Sequence, residues 1–165
     1  MPAIIKYLPL VTNIPHHSFI VIELSMKNMR GYERYGNMKS TVYVIKPFRY
    51  RHPITKIIKQ SIKEKYPNTK FKIQRKYNQK KTTHANIYFI INDPQLKSWD
   101  GLHIAHEIRN NEPKSLLILA STVIDYTNFF RSHIGFLGII DLQNTTISEI
   151  ESYLEDSIKL IPKDT

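Results

Sequence analysis

Asp93 is the residue best placed for chemistry in this chain. It follows a continuous run of β-branched and aromatic residues, Ile87 to Ile91, and opens a polar loop that closes at Asp100-Gly101 before a helical pattern begins. An unbroken apolar run marks a strand covered on both faces, as in the centre of a parallel sheet, and functional groups collect at the carboxyl ends of such strands. Other reactive residue types are less well supported. His103 with His106 or Glu107 could bind a metal from one helix face, but two exposed ligands without a third read as solvated surface, and His16-His17 is no better. Ser121 shows neither a base nor the sharp turn a serine nucleophile requires, and with only 5 Gly there is no phosphate-cradling loop. No catalytic residue, no metal and no cofactor is expected, so the chain does not read as an enzyme.

The elements that must position Asp93 follow from periodicity. Thr41–Ile45 is a strand. Ile54 to Tyr66 is a helix with Ile54, Ile57, Ile58 and Ile62 on one face, Lys on the other, and Pro53 and Pro67 at its two ends. Lys70 to Arg75 alternates Phe71 and Ile73 with cations, the pattern of an edge strand. Leu102 to Asn110 is a helix that turns Leu102, Ala105 and Ile108 inward, and His103, His106, Glu107 and Arg109 outward. Ser115 to Ala120 is a short apolar strand, Asp125 to His133 a helix carrying Phe129-Phe130, and Gly135 to Ile140 a fifth strand. Thr146 and Glu149 form a capping box that opens a final helix with Ile147, Ile150, Leu154, Ile158 and Ile161 inward. Alternating strands and helices imply an α/β fold: a parallel sheet with right-handed crossovers and helices on both faces. Ile90, Leu102, Ile108 and Leu117 are expected in its core.

At 165 residues and 41% hydrophobic content the chain can bury one core of ordinary domain size. Residues 1–37 carry one strand-like run, Ser18 to Leu24, and otherwise no period; they form an unassigned arm, and Met38 could be the native start. The absence of cysteine excludes disulfides and thiolate metal sites. No stretch has the roughly 20 apolar residues of a membrane span, and the N-terminal segment is a poor signal peptide. No membrane association is expected, and the cytoplasm is the default location.

The net charge of +10 is uneven: residues 39–81 hold 14 Lys/Arg and one acid, Glu64, whereas residues 82–165 hold 11 Asp/Glu and 6 Lys/Arg. Lys56, Lys59, Lys63, Lys70, Lys72 and Arg75 could form a polyanion-binding face, since clustered cations attract nucleic acid and release its counterions. The plainer alternative is a solvated helix face beside a lysine-protected edge strand. Phe129-Phe130 could be an exposed partner-binding pair, although one of two adjacent helix aromatics ordinarily faces the core.

From about Thr41 to Ile161 the chain resembles the receiver domain of bacterial two-component response regulators, most closely the accessory-gene-regulator and LytTR-type class. The resemblance rests on Tyr88-Phe89-Ile90-Ile91 as third strand, Trp99-Asp100-Gly101-Leu102 as loop-to-helix turn, His106-Glu107-Ile108-Arg109 ending the third helix, and Leu119-Ala120-Ser121 closing the fourth strand. Gly101 stands eight residues after Asp93, the family's spacing from its phospho-accepting aspartate. The resemblance implies a flavodoxin-like (CheY-like), doubly wound, five-stranded parallel sheet of order 2-1-3-4-5 over residues 38–165. It also implies that Asp93 is the phospho-acceptor equivalent.

The departures from the family bear on function. Receivers end their first strand with an acidic pair that holds magnesium, because a hard cation needs carboxylate oxygens to offset phosphoryl charge; here that place reads Lys46-Pro47-Phe48. The family's Ser or Thr falls on Ala120, with Ser121 adjacent, and its lysine falls near Ile139. The chain resembles a degenerate receiver that binds a protein partner (a regulator, a kinase or itself) without phosphorylation. Lys46 and Asp93 are expected to share one rim, where the ammonium can approach the carboxylate. The chain ends near the close of the fifth receiver helix, so no DNA-binding domain is expected after it. Nucleic-acid binding through the basic face of residues 39–81 is the alternative.

Overall fold

Alternation along each strand divides the side chains between two layers. In β1 (Thr41–Ile45), Val42 and Val44 face one side and Tyr43 and Ile45 the other; in β3 (Ile87–Asn92), Ile87, Phe89 and Ile91 oppose Tyr88 and Ile90. The computed structural model describes residues 40–78 and 85–161, which lie within the unit Tyr35–Thr165. The expected boundary between residues 37 and 38, the arm before it and His16-His17 lie outside the described residues.

The remaining elements are α1 (Ile54–Lys65), β2 (Lys70–Gln74), α2 (Gly101–Asn111), β4 (Leu116–Ser121), α3 (Tyr126–Arg131), β5 (Gly138–Asp141) and α4 (Ile147–Leu160). All strand pairs are parallel, in the order β2-β1-β3-β4-β5. This is the doubly wound order expected. Ile54, Ile58 and Ile62 of α1 and Ile150, Leu154 and Ile158 of α4 cover one face; Ala105 and Ile108 of α2 and Phe129 of α3 cover the other. β2 lies at an edge, and Lys70, Lys72 and Ile73 on it are exposed.

Several expectations are corrected. Between β2 and β3 the described residues hold no helix, so His106–Arg109 fall in the second described helix rather than the third. Tyr77 packs there edge-on against Tyr88 at 6.3 Å, and Tyr88 stacks on Tyr43 at 4.9 Å, supplying apolar cover to that face. Ile90, Ile108 and Leu117 are fully buried, but Leu102, in the first turn of α2, is only half-buried where it packs against the α2/α3 layer. Ile147, also expected inward, is 62% exposed as the first residue of α4. The fifth strand begins at Gly138, not Gly135, whose φ of +71° belongs to the preceding loop.

Two glycines of the described fold are demanded by space. A Cβ on Gly101 would lie 2.5 Å from the Ile91 carbonyl oxygen and 2.9 Å from the Asn92 Cβ, so α2 can start this close to the end of β3 only with glycine there. At Gly138 a Cβ would strike the Tyr153 ring.

Candidate functional site

The carboxyl ends of β1, β3 and β4 converge on Asp93. The loop after β3 is held open by Trp99, whose Nε1 donates to the Ile91 carbonyl at 2.7 Å, and by Asp100, which caps α2 by accepting from the His103 amide at 2.9 Å. Asp93 is half-buried; its Oδ1 accepts from the Gln95 amide and from the Thr122 hydroxyl, each at 3.1 Å. The Tyr50 phenol is raised above its ordinary value, first by burial and then by the negative charge of Asp93. The Thr122 hydroxyl is thus the side-chain donor that the aspartate meets.

Lys46 does not pair with Asp93. Its ammonium folds back on its own loop and donates to the Tyr50 carbonyl at 2.8 Å, so the expected contact is replaced by a turn-closing one. Pro47 begins that turn: the Tyr50 amide donates to the Pro47 carbonyl at 3.3 Å, and Arg49 takes φ +63°, the left-handed third position of a type II turn. The turn displays Phe48, which is 60% exposed. His52 ties this loop to the other end of the rim. Its Nδ1 accepts from the Ile54 amide at 3.2 Å, which leaves Nε2 as the donor to the Leu142 carbonyl at 3.0 Å.

Ala120 is buried within β4 and faces the α1/α4 core. Ser121, also buried, accepts from Asn92 Nδ2 at 3.1 Å and donates to the Val123 carbonyl at 2.6 Å. Neither supplies the hydroxyl on Asp93; Thr122 does, one residue further on. Sequence spacing missed it because β4 runs one residue past its apolar stretch, to pair Ser121 with Asn92. Ile139 lies inside β5 and packs against the α2/α3 layer, whereas the strand ends at Asp141, whose carboxylate accepts from the Gln143 amide and Asn144 Nδ2.

The other candidates separate in space. Phe129 is 5% exposed and Phe130 59%, the latter on one short helix with exposed Tyr126 and near exposed Val123. Lys56, Lys59 and Lys63 line the outer face of α1, while Lys70, Lys72 and Arg75 follow the β2 edge. His103 Nε2 stands 3.9 Å from Glu107, and His106 pairs with Asn110. Among the described residues no three His, Asp or Glu side chains gather as a metal site.

At the opposite, amino end of the sheet lies a polar cluster that no sequence signal marks. Glu112, buried at the end of α2, accepts from the hydroxyls of Tyr77 (3.0 Å), Tyr88 (2.8 Å) and Ser115 (3.0 Å) and from Asn86 Nδ2 (2.9 Å). Burial and then the bond to Glu112 raise both phenols well above their ordinary value. Arg109 staples the same end by donating to the carbonyls of Ile134, Pro113, Ser115 and Gly135.

Comparison with solved structures identifies the fold class. A response regulator from Thermotoga maritima superposes with a TM-score of 0.53 at 15% identity, covering 73% of this chain and 98% of that one. A CheY-like response regulator receiver domain protein from Methanospirillum hungatei gives 0.52 at 9% identity over 73% and 94%. The phosphorylated cyanobacterial phytochrome response regulator RcpA gives 0.53 at 12% identity over 76% and 99%. The described unit therefore has the flavodoxin-like fold of receiver domains. Comparison with family models and with curated proteins finds no match. No helix among the described residues is long and apolar enough to cross a membrane.

Proposed function

We propose that the protein is a degenerate receiver: a cytoplasmic regulatory module, without catalysis of its own, that acts by binding a protein partner and is not phosphorylated. The observation that carries this reading is the composition of the rim around Asp93. The place of the metal-holding acidic pair is taken by Lys46-Pro47, and Lys46 turns away to the Tyr50 carbonyl. Asp93 is left with neutral donors, Thr122 Oγ1 and the Gln95 amide, which cannot replace the carboxylate oxygens that bind a hard divalent ion. Without that ion nothing offsets the charge an incoming phosphoryl group would bring.

Residues 38–165 form the folded unit in this reading, and the partner surface is α3 with the segment that leads into it. Val123, Tyr126 and Phe130 are 48%, 45% and 59% exposed within a stretch of eight residues, directly after the β4 end that touches Asp93. Clustered exposed aromatics beside a polar rim are the composition of a protein–protein contact. The test is incubation of the full chain with magnesium and a small phosphodonor or beryllofluoride, followed by intact mass and amide spectra. Unchanged mass and spectra are expected; stoichiometric phosphorylation that vanishes in Asp93→Asn would restore the ordinary phospho-switch.

A further inference from the structure

The β1–α1 turn and the β2 edge enclose a notch that the reading above does not use. It is lined by Lys46, Pro47, Phe48, Arg49, Ile73 and Arg75 and has a volume of about 240 Å³. Its floor is apolar, and around it stand Arg49, Arg75 and Lys46, the last with its ammonium bound to the Tyr50 carbonyl, and no acid. Phe48 is 60% and Ile73 50% exposed, so the floor is open to solvent. The guanidinium carbons of Arg75 and Arg49 stand 4.1 Å and 5.1 Å from the Phe48 ring centroid. The ring thus holds two otherwise floppy cations in place. Arg49 keeps this position in a left-handed conformation that ordinary side chains avoid.

We propose that this notch binds single-stranded nucleic acid, one base stacking on the Phe48–Arg75 platform while the backbone follows the cations of the β2 edge. Sites that enclose a drug-sized ligand measure roughly 300–1,000 Å³; this smaller notch takes one flat group and leaves the rest of its ligand outside. Aromatic or guanidinium planes set in an electropositive strip are the means by which proteins hold single strands without reading sequence. Lys76, next to Arg75, is exposed as well, and Lys70 and Lys72 are exposed on the other face of the same edge strand. A peptide adding as a further strand is the competing occupant, but exposed lysines along an edge strand are a device against strand addition.

Fluorescence anisotropy of the full chain with a labelled oligothymidylate tests this, with far-UV circular dichroism confirming that each variant folds. Binding should weaken steeply between about 50 and 200 mM salt as counterion release loses its drive. Phe48→Ala should weaken it about tenfold, the scale of one lost base stack. Arg49→Gly, which keeps the turn and removes the cation, and Arg75→Ala should each weaken it as well. Lys114→Ala, an exposed cation just before β4 at the amino end of the sheet, should change it less than about threefold, the effect of a single distant charge. No binding at low salt would overturn the proposal, as would equal losses in Phe48→Ala and Lys114→Ala. So would polyglutamate of matched charge binding as tightly as the oligonucleotide, which would indicate an acidic protein partner.

Discussion

The Thr122 hydroxyl donates to the Asp93 carboxylate at 3.1 Å, joining the end of β3 to the residue after β4. Because Thr122 also sends its amide to the Asn92 carbonyl at 3.1 Å, it bridges the rim through backbone and side chain together. Thr122→Val keeps shape and removes the side-chain bond only. The expected loss is about 0.5 to 1.5 kcal/mol, read from urea unfolding; a neutral result would show that the hydroxyl does not hold Asp93 in solution.

Restoring carboxylates should restore metal binding. The double variant Lys46→Asp, Pro47→Asp puts two acids at the end of β1, beside the strand that carries Asp93. Calorimetric titration should then show magnesium binding by the double variant, none by the natural sequence, and loss of that binding in Asp93→Asn. Binding by the natural sequence itself would contradict the degenerate reading.

Gly101→Ala would be favourable in an ordinary helix by close to 1 kcal/mol. Here the new Cβ would meet the Ile91 carbonyl at 2.5 Å, so backbone must move. The expected outcome is destabilisation by about 1 to 3 kcal/mol on denaturant titration. A gain in stability would mean that the close approach of α2 to β3 is wrong.

Phe129 and Phe130 should part company. Phe129→Ala removes a buried ring from the α2/α3 layer and should cost about 3 to 5 kcal/mol. Phe130→Ala should stay within about 0.5 kcal/mol of the parent, as an exposed substitution does, while weakening capture of the partner in a binding assay. Equal stability effects would remove α3 as the partner surface.

The Glu112 cluster sets an alkaline limit. Tyr88 and Tyr77 have phenols raised above the ordinary 10.0, so the folded state prefers them protonated. Their contribution is fully present below the unfolded value and is lost as pH climbs past about 10 towards the folded values. Thermal melts should therefore be level in this respect at neutral pH and fall above it. Tyr88→Phe should lower stability at neutral pH by about 1 to 2 kcal/mol, since Tyr77 still serves Glu112 Oε1, and should flatten the alkaline decline. An unchanged decline would assign it to other groups.

Local pattern alone determined which segments form the sheet and its covers. Thr41–Ile45 coincides with the strand found, the run from Ile87 extends by one residue to Asn92, and the expected Ser115 to Ala120 is shifted by one to Leu116–Ser121; the apolar centres were legible because residues buried on both faces must be apolar whatever their neighbours. Likewise Thr146 caps α4 through the Glu149 amide at 3.2 Å, a bond within one turn of chain. Helix starts were less legible. Leu102 and Ile147 fit the apolar period, yet in the first turns of their helices one is half-buried and the other exposed, and periodicity does not say which turns of a helix meet the sheet.

Tertiary structure decided everything that depends on a partner distant in sequence. The choice of Thr122 over Ser121 came from the Asn92–Ser121 register, and the release of Lys46 from Asp93 came from the left-handed turn at Arg49. The stacking of Arg75 on Phe48 and the four donors on Glu112 likewise join residues that are neighbours only after the strands have paired. Hydrophobic periodicity acts through short-range geometry and is written in order along the chain. Polar partnerships are set by strand register and loop dihedrals, which a change of one residue redirects to another face, and so they were fixed only when the sheet closed.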